Sequence, residues 1–354
     1  MDFYEDMTIE LERYFRTLDP NFDAKRKYPY EISKYELRQY VRKNQIKFPL
    51  EQIDEIPQEV IIKKIQEIEE NFKVQDAYDS NRKKKYVTRK LLERYINLQR
   101  KRLLPCRKRE VHISDELQTK INSKIISEEI CKVIKCIEQE FQNGIDVFPR
   151  LSKGSRKIGE KYDDTLLHEF SIYHFHLSNM KKDNAKSYER TDELLFVYIP
   201  ILDNKNAYFL DVINEHTDNK VFEDIGLLNL IERNWPALLE PFTLRDIKNP
   251  SSLSISDNEQ YQQLRHNCIN STITLENGKE VMKPGFGITI SGRSPYVLLY
   301  TNRIMKEIAL IERLCKKEIQ ENPNINFKLK LVNNIFEINM YPGEILRYQV
   351  IIFL

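Results

Sequence analysis

The spacing of apolar residues changes along the chain: a 3.6-residue repeat dominates to about residue 145, and alternation or short apolar runs dominate much of the rest. Leu11, Tyr14, Phe15 and Leu18 form a first helical stripe, stopped by Asp19-Pro20. Ser33 with Glu36 makes a capping box ahead of Leu37, Tyr40 and Val41, and Pro49 closes that run. Ile53, Val60, Ile61, Ile65, Ile68 and Phe72 predict a third helix, with Pro57 in its first turn. Val87, Leu91, Leu92, Tyr95, Ile96 and Leu98 predict a fourth. Ser127 caps a fifth, in which Ile130, Val133, Ile134, Ile137 and Phe141 keep the period and Gly144 ends it.

The stretch 167–236 reads differently. Residues 171–177 alternate as a strand, and 194–199 are apolar on both faces, as expected of the centre of a sheet. Asp203-Asn204-Lys205-Asn206 supplies a turn, and 207–213 return as a third strand, which predicts a β-meander. Thr217 or Asp218 then caps a helix that packs Leu227, Leu228, Leu230 and Ile231 on the sheet and ends at Pro236. Further on, Asn249-Pro250-Ser251-Ser252 predicts a loop, and Ser256 with Glu259 opens a short helix reaching about His266. Asn277-Gly278 is a hairpin signal, and Gly285, Gly287 and Gly292 bracket a further strand. Ile304, Ile308, Ile311 and Cys315 mark a helix, followed by strands at 327–332, 335–340 and 346–353, the first two joined at Asn333-Asn334.

These elements predict an α+β protein: a helical N-terminal region, a small antiparallel sheet with packed helices, and a strand-rich C-terminal segment. The expected organisation is a helical, basic region over 1–145, a central sheet-plus-helix unit over 146–250 and a C-terminal α+β segment over 251–354. Pro149, Gly154, Gly159 and the charges around them mark the main boundary.

Composition narrows the class. The chain has 354 residues, 31% charged, with a net charge of +2, so bulk electrostatics select no partner. Five cysteines with no paired spacing fit a reducing compartment, and a cytoplasmic location is expected. The N-terminus is acidic and amphipathic rather than signal-like, and no apolar run reaches the roughly 20 residues that cross a bilayer. One segment is strongly biased: 82–109 carries thirteen Lys or Arg against a single acid, Glu93. Arg82, Lys83, Lys84, Lys85, Arg89, Lys90, Arg94, Arg100, Lys101 and Arg102 would form a basic helix face suited to a nucleic-acid backbone, RNA above all. The alternative is a solvated helix whose cations pair with acidic neighbours.

The candidate chemistry lies in the central stretch, which holds four of the six histidines. In a strand, His174 and His176 share a face about 6.5–7 Å apart. His216 follows the third strand and Arg190 precedes the second. Two imidazoles that exchange protons near neutrality and a guanidinium that holds an anion suffice to cleave RNA through its own 2′-hydroxyl, without a cofactor. Ordinary half-buried histidines, or a metal site built on the HxH pair, are the competing readings.

HFHL at 174–177, RTDELLF at 190–196, AYFLDV at 207–212 and NWP at 234–236 resemble blocks shared by a group of bacterial proteins with no assigned activity. A helix beside an antiparallel sheet, with an Arg leading into an ELLF strand, is similar in architecture to compact ribonuclease toxins of the barnase, RelE and EndoU kind. That resemblance implies metal-independent RNA cleavage by side chains on the sheet, in a toxin or phage-defence effector with a protein inhibitor as a possible partner.

Overall fold

The computed structural model describes residues 1–24, 76–103, 106–151, 164–181, 187–201, 203, 205–214, 225–245, 255, 257–266, 269–289 and 293–352. Outside them lie the helical runs expected at 33–41 and 53–72, most of the connector, His216, the helix cap at Thr217 or Asp218, the loop at 249–252, Ser256 and Gly292. The side chains of 76–82, 165 and 265–266 are likewise outside the description. The fold is α+β, as expected, and among the described residues no helix is long and apolar enough to cross a membrane.

The chain forms two units, one of residues 96–302 and one that joins 1–95 to 303–354. In the first, the central sheet contains β1 (Glu110–Ile113), β2 (Ile172–His176), β3 (Glu193–Tyr198) and β4 (Asn206–Asn214), in the order β1-β4-β3-β2. The meander β2-β3-β4 is antiparallel, consecutive strands lying side by side. β1, within the stretch expected to be helical, adds a parallel edge beside β4. Register aligns Ile172, Tyr198, Tyr208 and His112 across all four strands.

Both faces of this sheet are covered, which explains why β3 and β4 read as apolar runs. On one face, α3 (Asp115–Asn122) contributes Leu117, and α4 (Glu128–Asn143) contributes Val133, Ile134, Ile137 and Phe141 against Phe175, Leu195, Val197 and Phe209. Ser127 caps α4 through a 3.3 Å bond from Ile130 N–H, and Gly144 ends it at φ 69°. The other face carries α5 (Thr165–Phe170), α6 (Gly226–Asn234), α7 (Asn258–His266) and a hairpin of β5 (Ile273–Thr274) and β6 (Glu280–Val281). Each fully buried Phe or Leu here contributes roughly 1.5–3 kcal/mol.

The described part of one further expected strand, residues 285–289, lies outside the sheets. Gly285 N–H and Gly287 N–H donate to the carbonyls of Glu169 and His168, at 2.7 and 3.1 Å, instead of joining a sheet. The approach is so close that a Cβ on Gly285 would lie 2.3 Å from His168 O, which gives the glycine a steric rather than a turn-forming reason.

In the second unit, α1 (Phe3–Leu18) buries Phe3, Met7, Leu11 and Phe15. The C-terminal strands β7 (Asn326–Val332), β8 (Ile335–Tyr341) and β9 (Ile345–Ile351) form an antiparallel sheet in chain order. Asn333 and Asn334 take positive φ at the β7-β8 turn, as the Asn-Asn pair predicts. Asp6 and Glu10 of α1 accept from the N–H groups of Leu329 and Leu331 at 3.1 and 3.2 Å, closing one edge of that sheet. Two long helices, α2 (Asp76–Lys101) and α8 (Pro295–Glu321), contribute residues to both units.

Candidate active site

Alternation places His174 and His176 on the face of β2 that carries Ile172, opposite Phe196 and Leu194 of β3. The two imidazoles meet different environments. His176 is 3% exposed, and its Nδ1 lies 3.3 Å from Thr191 N and 3.2 Å from Thr191 O, so that nitrogen is committed to the backbone in either tautomer. Thr191 Oγ1 also accepts from Leu177 N–H at 2.8 Å, which fixes the lead-in to β3 against the end of β2. Arg190, one residue earlier, is exposed. β4 ends at Asn214, paired with Glu193 at the same end of the sheet; His216 lies two residues beyond, outside the described residues.

His174 has a partner the sequence reading missed. Its Nδ1 lies 3.8 Å from Asp164 Oδ2, with the two side chains 12% and 14% exposed. Asp164 is anchored by its other oxygen, which caps α5 by accepting from Leu167 N–H at 3.1 Å. A separation of 3.8 Å is ion-pair reach rather than a direct hydrogen bond.

Charge continues beneath this pair. Arg100 is buried, donating to Leu167 O at 2.9 Å and Ser294 Oγ at 3.3 Å, with its guanidinium over the Tyr296 ring at 4.6 Å. Burial holds its pKa below the usual guanidinium range, and nearby Asp164 acts in the opposite direction. Tyr173 donates to Arg100 O at 2.9 Å, and burial pushes its phenol up to about 12. On the other side of α5, Glu169 is sealed at 0% exposure between Lys283 Nζ, 2.6 Å away, and the Tyr261 hydroxyl.

Several cations of the basic helix meet partners within the protein. Lys84 pairs with Asp2 and Glu5 at 3.1 and 2.9 Å, Arg89 with Glu93 at 3.0 Å, and Lys90, 8% exposed, lies 3.7 Å from Glu93. Arg94 stacks over Phe15 and Phe22, each at 5.0 Å, and Arg102 over Phe148 at 4.5 Å. Arg100 and Lys101 are buried, Arg82 has no described side chain, and Lys83 and Lys85 remain exposed. Lys85 nonetheless lies 5.1 Å from the Tyr4 ring centroid.

His112 also escaped the sequence reading. Its Nε2 lies 2.9 Å from Asn206 Oδ1 and its ring stacks on Tyr208 at 4.7 Å. The signal was the alternation of Glu-Val-His-Ile ahead of the Ser114 cap. Among the described residues, no three His, Cys, Asp or Glu side chains converge as a metal site. Compared with known protein families, curated proteins and solved structures, the chain matches none.

Proposed function

We propose that this protein is a metal-independent ribonuclease working from His174 and Asp164. The observation that carries the reading is the anchored carboxylate facing Nδ1 of a partly open imidazole on the edge strand β2. A carboxylate on Nδ1 orients the ring and directs the other ring nitrogen, Nε2, to accept a proton. In the reaction, Nε2 takes the proton of the ribose 2′-hydroxyl, the 2′-oxygen bonds to phosphorus, and the bond from phosphorus to the 5′-oxygen breaks. The 5′-oxygen takes a proton from a second imidazole, a role that falls to His216, and the products end in a 2′,3′-cyclic phosphate and a 5′-hydroxyl.

Arg190 faces the charge that builds on the phosphoryl oxygens. His176 is a positioning residue in this reading: its bond to Thr191 holds the Arg190 segment on β2. A purely binding role would rest on α2, and most of that helix's described cations are engaged within the protein. The setting that suits such an activity is a cytoplasmic toxin or phage-defence effector controlled by a protein inhibitor.

In EDTA, purified protein is expected to cleave single-stranded RNA. His174→Gln should lower the single-turnover rate about 10²–10⁴-fold, and Asp164→Asn by a smaller factor. Full activity in His174→Gln, with the fold intact by circular dichroism, would remove His174 from the chemistry.

A further inference from the structure

Cations buried in the 96–302 unit generally have strong acceptors. Arg150 has Glu140, Lys283 has Glu169, and Arg100 has a carbonyl, a hydroxyl and an aromatic face. Arg109 does not. It is 7% exposed, and among the described residues Nη1 reaches only Arg107 O at 3.3 Å and the buried Nε has no acceptor. The Phe141 ring lies 5.9 Å from the guanidinium, and among the described residues no carboxylate pairs with it.

The backbone around this side chain is held firmly. Arg109 N–H donates to Phe141 O at 2.9 Å. The 107–108 backbone lies on Gly144, where a Cβ would come 3.0 Å from Arg107 C and Lys108 N. A fixed, desolvated guanidinium with unfilled donors is costly on its own and is stabilised by an anion.

We infer that Arg109 anchors a phosphate-binding site, with Arg107 as the adjacent cation. The planar fork of a guanidinium matches two oxygens of a phosphate. Arg107, Lys108 and Arg109 extend positive charge over three consecutive residues, Lys108 being exposed, which favours phosphate over an isolated carboxylate. The phosphate belongs either to an RNA backbone or to a free phosphate monoester. Binding here requires no chemistry at His174, so this inference and the ribonuclease reading fail separately.

The test is calorimetric titration and thermal unfolding of the full chain in chloride buffer. Inorganic phosphate and an uncleavable 2′-O-methyl trinucleotide are the probes, with sodium chloride at matched ionic strength as control. At tenfold excess over its dissociation constant, the bound probe should raise the midpoint by roughly 2 °C or more. Arg109→Met should unfold no earlier than the parent in chloride and lose this rise, because removing an uncompensated buried charge is neutral or stabilising. Arg109→Lys keeps the charge without the fork and should bind at least tenfold more weakly. A response to the trinucleotide alone identifies a phosphodiester, and a response to inorganic phosphate identifies the free group; either supports the site. No heat or midpoint rise beyond chloride with either probe overturns it, as does an Arg109→Met protein that keeps the rise.

Discussion

Lys283→Met should destabilise the protein by about 3–5 kcal/mol, the usual consequence of leaving one member of a buried ion pair behind. Glu169 is 0% exposed and Lys283 4%, so neither charge has water to fall back on. With Lys283 gone, Glu169 keeps the Tyr261 hydroxyl but loses the ammonium 2.6 Å from its carboxylate. Its backbone also carries the loop at Gly285, so the damage should spread to the covering of α5. Urea titration of the parent, Lys283→Met and the double variant Glu169→Gln/Lys283→Met separates charge from packing. The double variant should recover more than half of the loss, because no unpaired charge remains. A single variant within 1 kcal/mol of the parent would show that the pair is not held in a low-dielectric interior.

Glu140→Ala should have an effect of similar size at the other end of the sheet. Arg150 is 1% exposed, and Glu140 of α4 meets its Nε and Nη2 at 2.6 and 2.7 Å in a bidentate pair. The same guanidinium donates to Ser178 O at 2.9 Å and lies over the Tyr188 ring at 4.2 Å, tying the chain beyond β2 to α4. Removing Glu140 strands a guanidinium in the interior, at about 3–5 kcal/mol. Removing Arg150 leaves a carboxylate that is 15% exposed and better able to hydrate. Arg150→Met should therefore cost less charge energy and more packing. The two variants, compared by thermal unfolding, should differ, with Glu140→Ala the less stable. Equal midpoints would contradict this division.

What the sequence disclosed and what it hid follow from the range of the interactions. The meander and the helix at 226–234 were legible because apolar period and turn chemistry are local, and the Asn-Asn and Asn-Gly turns carried their own signals. β1 was not: four residues pairing in parallel with a strand about 95 positions later leave no local mark. The ion pairs of the basic helix were not legible, because two of its acidic partners, Asp2 and Glu5, lie some 80 residues earlier in the chain. The HxH pair was visible as a pattern, but the pattern was silent on what separates its members, Thr191 at His176 and Asp164 at His174. Asp164 carried no signal of its own in the sequence, and its capping of α5 gave no hint of the second oxygen's partner.

The central claim is that a carboxylate-backed imidazole on β2 cleaves RNA by way of its 2′-hydroxyl. The most direct measurement is the identity of the product ends when a defined RNA, and the same sequence carrying deoxyribose throughout, are incubated with the protein in EDTA. The account predicts 2′,3′-cyclic phosphate and 5′-hydroxyl ends from the RNA and no cut in the DNA. Products bearing 5′-phosphates, or cleavage of the all-deoxy strand, would contradict it.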